Sequence, residues 1–159
     1  MELNAPAMPL AIDLDLAMRL LGAAVAGLLL GLDREVRGYG AGLRTHAIVC
    51  FAAALLTTTA IGLFFSLGGP TTRIDPLRVV EASAAAMGVI AAALVFKGTH
   101  AIHNLTTATH LWLVAVIGIA FGAGLYPIAL VGVVIGMILL TVVRQIEGKS
   151  FRAHDHGEG

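Results

Sequence analysis

Residues 31–46 read GLDREVRGYGAGLRTH, and the choice of fold turns on them. Five of the chain's twenty Asp, Glu, Lys and Arg residues fall within these sixteen positions, and long apolar runs flank them on both sides. A helix that crosses a bilayer needs about 20 mostly apolar residues. A charged knot between two such runs therefore reads as the polar loop of a membrane hairpin. The rest of the composition agrees. The chain has 159 residues, of which 58% are hydrophobic and 13% charged, whereas soluble domains carry about a quarter charged residues. Its mean hydropathy is +0.90. So apolar a chain cannot cover itself with polar surface, and the lipid bilayer is its expected surrounding. The formal net charge of zero argues against nucleic acid as a partner. Cys50 is the single cysteine, so no disulfide forms within one chain. The N-terminal run MELNAPAMPLAIDLDLAMR is acidic before it is basic, the wrong polarity for a cleaved signal peptide.

Five apolar segments follow in order, giving an all-α, polytopic membrane bundle of about five transmembrane helices. They run from about Asp15 to Leu32, Thr45 to Leu67, Leu77 to Phe96, Thr107 to Phe121 and Tyr126 to Val143. Asp13 or Asp15 caps the first, because a carboxylate there accepts from the free N–H groups of the opening turn. Asp75-Pro76 opens the third. Residues 1–14 form an extramembrane segment, 15–146 the transmembrane domain and 147–159 a polar tail. Orientation follows from Lys and Arg placement. Arg34, Arg37, Arg44, Lys97, Arg144, Lys149 and Arg152 lie on one side, and Arg19, Arg73 and Arg78 on the other. The first side is expected in the cytoplasm with the C-terminus, and the N-terminus outside. The loop ends Gly42-Leu43-Arg44-Thr45-His46 and Asn104-Leu105-Thr106-Thr107-Ala108-Thr109-His110 echo each other, as in two repeated helical hairpins plus one helix.

Asp33, Arg34, Glu35, Arg44, Thr45, Lys97, Thr106 and Thr107 converge at the cytoplasmic ends of these hairpins and form the candidate ligand or polar inner site. Two helix N-termini point there with threonines as caps, and free N–H groups favour an anion. Asp33 is the internal anion that Arg44, Lys97 and those termini would hold. A second reading makes all of these solvated interfacial charges. Direct Mg²⁺ binding is not expected there, since the ion wants a cage of oxygens and three arginines surround the two carboxylates. Glu81 is an intramembrane acid, hence a functional candidate, unless it reaches the headgroups or pairs with Arg78. Arg19 has the same ambiguity, four residues after Asp15. His46, His100, His103 and His110 are too loosely spaced for a metal site, and no metal or cofactor is expected. No nucleophile with a base and no phosphate-cradling loop is visible, so an enzyme is not expected. Small residues recur at Ala23, Gly27 and Gly31, at Gly118 and Gly122, and at Gly132 and Gly136. Such stripes bring helices close in lipid, either within the monomer or, on the fifth helix, at the seam of a homodimer.

Several ordered motifs together resemble the membrane domain of the MgtC/SapB family. They are Arg19-Leu20-Leu21, Gly31-Leu32-Asp33-Arg34-Glu35, Ala41-Gly42-Leu43-Arg44-Thr45-His46, Asp75-Pro76-x-Arg78, Leu105-Thr106-Thr107-Ala108, Leu111-Trp112 and Gly124-Leu125-Tyr126. The resemblance covers about residues 17–146. It departs at Asp33, where the family usually has Glu, and at Ala82, where it commonly has Gln. Many members carry a soluble C-terminal domain that is not matched in this sequence. The resemblance implies a bacterial inner-membrane protein tied to growth at low magnesium, acid tolerance or intracellular survival. It also implies action through other membrane proteins, such as the ATP synthase or a phosphate transporter. A small transporter or channel for an ion or anion is the alternative.

Overall fold

The computed structural model describes residues 13–67, 75, 77–95 and 105–143. It is an all-α membrane bundle of five helices: α1 Leu14–Val36, α2 Leu43–Leu67, α3 Leu77–Val95, α4 Leu105–Gly122 and α5 Tyr126–Ile138. A single π turn, Leu139–Val143, continues α5. The five helices match the five expected from the sequence, and among the described residues α1, α2 and α4 are, by length and composition, long and apolar enough to cross a membrane. Among the described residues the apolar stretch of the last helix, Tyr126–Thr141, is shorter than these three.

α1 starts as expected. Asp13 has extended backbone and accepts from the Leu16 N–H at 2.8 Å, satisfying one of the free donors of the first turn. Its end differs from the expectation: α1 continues a full turn past Leu32 and takes Asp33, Arg34 and Glu35 into the helix. It stops at Gly38, whose φ of 72° is a left-handed conformation open to glycine at little cost. α2 and α4 each begin two residues earlier than the hydropathy indicated, so Thr45 and Thr107 lie inside the first turn and cap nothing. Glu35 caps α2 instead, accepting from the Leu43 N–H at 3.0 Å. Asp75 opens α3 as expected, accepting from the Leu77 N–H at 2.9 Å.

α4 is the central helix, half buried and packed against all four others. The main core joins Ala23, Ala26 and Leu30 of α1 to Cys50 and Ala54 of α2 and to Val114, Ile117 and Phe121 of α4, with Ala129 and Val133 of α5 closing it. A second cluster sets Met87 of α3 against Ala53, Leu111 and Ala115. The core is built largely from alanine and glycine, which lets backbones nearly touch. A Cβ on Gly27 would lie 2.5 Å from the His46 carbonyl oxygen, and one on Gly31 would lie 2.8 Å from Leu43 Cα. Gly118 and Gly122 of α4 face the Cys50 and Ala54 carbonyls of α2 in the same way. The small-residue stripes on α1 and α4 are therefore seams within one chain. On α5 the two glycines also meet side chains of the same chain. Gly132 faces Ile117, and Gly136 is buried against Leu113 and Leu30.

Candidate functional site

The triplet Asp33-Arg34-Glu35 sits on the last turn of α1, and successive helical residues point about 100° apart. Its three side chains therefore go three ways. Asp33 is half-buried and pairs with Arg37 one turn on, accepting at Oδ1 from Nε at 2.7 Å. Glu35 reaches the start of α2. Arg34 enters the bundle, where it is 3% exposed. Its guanidinium donates from Nε to the Ala41 carbonyl at 3.2 Å, from Nη1 to His110 Nδ1 at 2.7 Å and from Nη2 to Thr107 Oγ1 at 2.5 Å. The Tyr39 ring lies 4.3 Å from its centre and covers it as a cation–π partner. One side chain thus ties α1 to the α1–α2 loop and to the first two turns of α4. Arg suits this place because its planar fork presents several donors in fixed directions.

Two histidines stand behind this latch. His110 accepts from Arg34 through Nδ1, which fixes its neutral tautomer with the proton on Nε2. His46 is fully buried and donates from Nδ1 to the Gly42 carbonyl at 2.9 Å. Its Nε2 lone pair is buried without a partner.

A second buried arginine closes the opposite end of the bundle. Arg19 donates from Nε to Asp15 Oδ2 at 2.7 Å and from Nη1 to the Gly122 carbonyl at 3.0 Å. Gly122 ends α4, where carbonyls lack helical partners and the dipole is negative, so a cation is well placed. The hydroxyl of Thr58 also approaches Gly122 O at 3.2 Å. Tyr126, at the start of α5, donates its hydroxyl to Asp15 Oδ1 at 2.6 Å. Between Gly122 and Tyr126 the chain turns at Gly124, whose φ is +74° and whose missing Cβ would lie 2.9 Å from the Arg19 guanidinium. Tyr126→Phe should lower stability by about 1.5 kcal/mol, the lower range for a bond to a charged group. Denaturant unfolding in detergent micelles measures this, and an unchanged midpoint would make the contact incidental.

Of the residues expected at one polar site, the structure brings Arg34 and Thr107 into contact and uses Glu35 as a helix cap. Arg44, Thr45 and Thr106 are exposed. Asp33 pairs with Arg37 where Arg44 was expected. Lys97, His100 and His103 lie outside the described residues, as do Arg73, Arg144, Lys149, Arg152, His154 and His156. Glu81 is exposed on α3, and no ion pair joins it to Arg78. The pairing of Arg19 with Asp15, one of the two readings the sequence offered, is present. The sequence reading missed Tyr39, His110, Thr58 and Tyr126 as members of polar networks. A signal existed for Tyr126, which belongs to the quoted motifs.

The apolar space lies elsewhere. A groove of about 480 Å³ runs between α1 and α5, floored by Gly22, Ala26 and Phe121 and walled by Leu21, Leu130 and Val133. A cleft of about 430 Å³ lies between α1 and α2 beside Thr58, Thr59 and Ser66.

The sequence was compared with known proteins. A family model described as the MgtC family matches residues 20–149. YhiD of Escherichia coli K12, provisionally named a magnesium transporter, is 31% identical over 143 residues, covering 89% of this chain and 66% of that protein. SapB of Bacillus subtilis is 30% identical over 141 residues, 85% of this chain and 61% of its own length. MgtC of Brucella abortus is 32% identical over 137 residues, 84% of this chain and 55% of its own length. The chain thus spans two thirds or less of these relatives. No solved structure matches it.

Proposed function

The chain belongs to the MgtC family, and on that footing we propose that it is a multi-pass bacterial inner-membrane protein that regulates ion or membrane-energy homeostasis by binding other membrane proteins. The regulated process is magnesium or phosphate balance, or the proton-driven ATP synthase, as the family resemblance implies. Its N-terminus is outside and its C-terminus cytoplasmic, by the Lys and Arg distribution. It is not an enzyme.

One observation carries the choice of regulator over transporter. Both buried guanidiniums are committed to links between helices: Arg34 to Ala41, Thr107 and His110, and Arg19 to Asp15 and Gly122. Transporters place polar groups and broken helices at mid-bilayer to meet their cargo, whereas these networks sit at the two ends of α1. The carboxylates nearest the inner mouth are likewise engaged, Asp33 by Arg37 and Glu35 by the α2 backbone. Among the described residues neither belongs to a group of ligands that could form the oxygen cage Mg²⁺ takes.

The provisional name of the Escherichia coli relative favours the second reading, a transporter. One experiment separates them. The full chain is reconstituted in liposomes and assayed for flux of Mg²⁺, protons and phosphate, alongside affinity capture from its native membrane. Specific capture of a transport or ATP synthase component without flux supports the regulator. Flux of any of these ions that depends on the chain overturns it.

A further inference from the structure

α3 exposes large apolar residues such as Val89 and Ile90, and beside them a stripe of small and charged ones. The outer residues of α1 and α5 are large and apolar, such as Leu21, Val25, Val131 and Ile135, each half exposed or more. α3 buries Ser83 and Met87 on one side. At 100° per residue the opposite side carries Arg78, Glu81, Ala85, Gly88 and Ala92, all exposed. A Cβ built at Gly88 meets nothing within 4 Å. Among the described residues neither the Arg78 guanidinium nor the Glu81 carboxylate has a partner.

We propose that this face is where two copies of the chain meet, α3 against α3, with Arg78 of each copy paired to Glu81 of the partner subunit. Two observations select a second copy as the occupant. The first is the size of the side chains. Lipid gains little from alanine and glycine, whereas a second helix gains close backbone approach. The second is charge. Two copies in one membrane share an orientation, so a twofold axis along the bilayer normal sets the helices parallel. An isologous contact then places each Arg78 beside the partner's Glu81, and the charges balance twice. The two positions differ by three residues, about 4.5 Å along the axis, within the reach of an arginine side chain. The same contact removes the cost of leaving Glu81 on a lipid-facing surface.

The test uses the full chain in membranes with Cys50→Ser and one introduced cysteine: Ala85→Cys, Gly88→Cys or, on α5 as control, Val134→Cys. Oxidation with copper phenanthroline is expected to give disulfide-linked dimers with the two α3 cysteines and not with the control. In the Ala85→Cys background, R78E or E81R alone should reduce the dimer to the control level. Co-expressed R78E and E81R copies should cross-link to one another, because their charges are then complementary. That rescue also shows that neither variant is simply misfolded. Cross-linking that ignores the single charge reversals, fails to return in the mixture, or is stronger from α5 overturns the proposal.

Discussion

Arg34→Ala is expected to destabilise the bundle by about 3–5 kcal/mol, because three acceptors lose their donor at about 1–3 kcal/mol each while the cost of burying the guanidinium is removed. The deletion leaves Thr107 Oγ1, His110 Nδ1 and the Ala41 carbonyl without the donor each now has, in a region where Arg34 itself is 3% exposed. Water does not reach these groups cheaply, so solvation does not make good the lost bonds. Arg34→Lys keeps the charge and loses the planar fork, so it should recover only part of the loss. Thr107→Val removes one bond and should cost least of the three. The single tryptophan, Trp112, lies on α4 beyond the latch, so its fluorescence during denaturant unfolding in detergent reads the helix that Arg34 holds. An Arg34→Ala protein as stable as the parent would remove the latch as a structural element. If that variant folds in lipid but no longer captures its membrane partners, the latch also shapes the binding surface.

The helical membrane fold was legible because hydropathy is a sum over many residues, and no single contact alters it. The end of α1 and the starts of α2 and α4 were placed short, because polar residues read as loop by hydropathy alone. Arg34 belongs to α1 since Thr107 and His110, more than 70 residues away, satisfy its guanidinium. Nothing local in DREV announces this. The expected convergence of Asp33 with Arg44 failed for a related reason. Treating Asp33, Arg34 and Glu35 as loop residues lets all three face one site. Placing them in a helix sends them in three directions, and only Arg34 enters the bundle. At the other end the Asp15–Arg19 pair was readable within one segment, but its links to Gly122 and Tyr126 were not. Their meeting depends on α4 and α5 returning the chain to the start of α1. His46 was visible as a motif residue, but its buried and unpartnered Nε2 depends on packing the sequence does not display.

The glycine stripes show the same divide, and they set the second large expectation. Their spacing was readable, yet which face each turns to its neighbours was not. The geometry now ranks them. A Cβ on Gly118 or Gly122 would meet backbone atoms of α2, the Cys50 carbonyl in one case and the Ala54 carbonyl and Cα in the other. Backbone cannot rotate aside, so Gly118→Ala and Gly122→Ala must push α4 from α2 and open the main core, which holds Cys50, Ala54, Val114 and Phe121. Overpacking of this kind costs about 1–3 kcal/mol and occasionally more. The upper part of that range is expected here, because Gly122 O also accepts from Arg19 and Thr58. At Gly132 the nearest atom is a side-chain atom, Cγ1 of Ile117 at 3.1 Å, and no backbone lies as close. That side chain can yield by a few tenths of an ångström, so Gly132→Ala should be mild. At Gly88 nothing lies in the way within one chain, so in the monomer Gly88→Ala should be neutral or slightly stabilising through helix propensity. Melting of the four alanine variants as monomers in detergent should therefore order them Gly118 and Gly122 as the most damaging, then Gly132, then Gly88. A Gly122→Ala protein that melts with Gly88→Ala would mean that α2 and α4 do not meet backbone to backbone. Arg19 would then lose the fixed carbonyl that holds its end of α1.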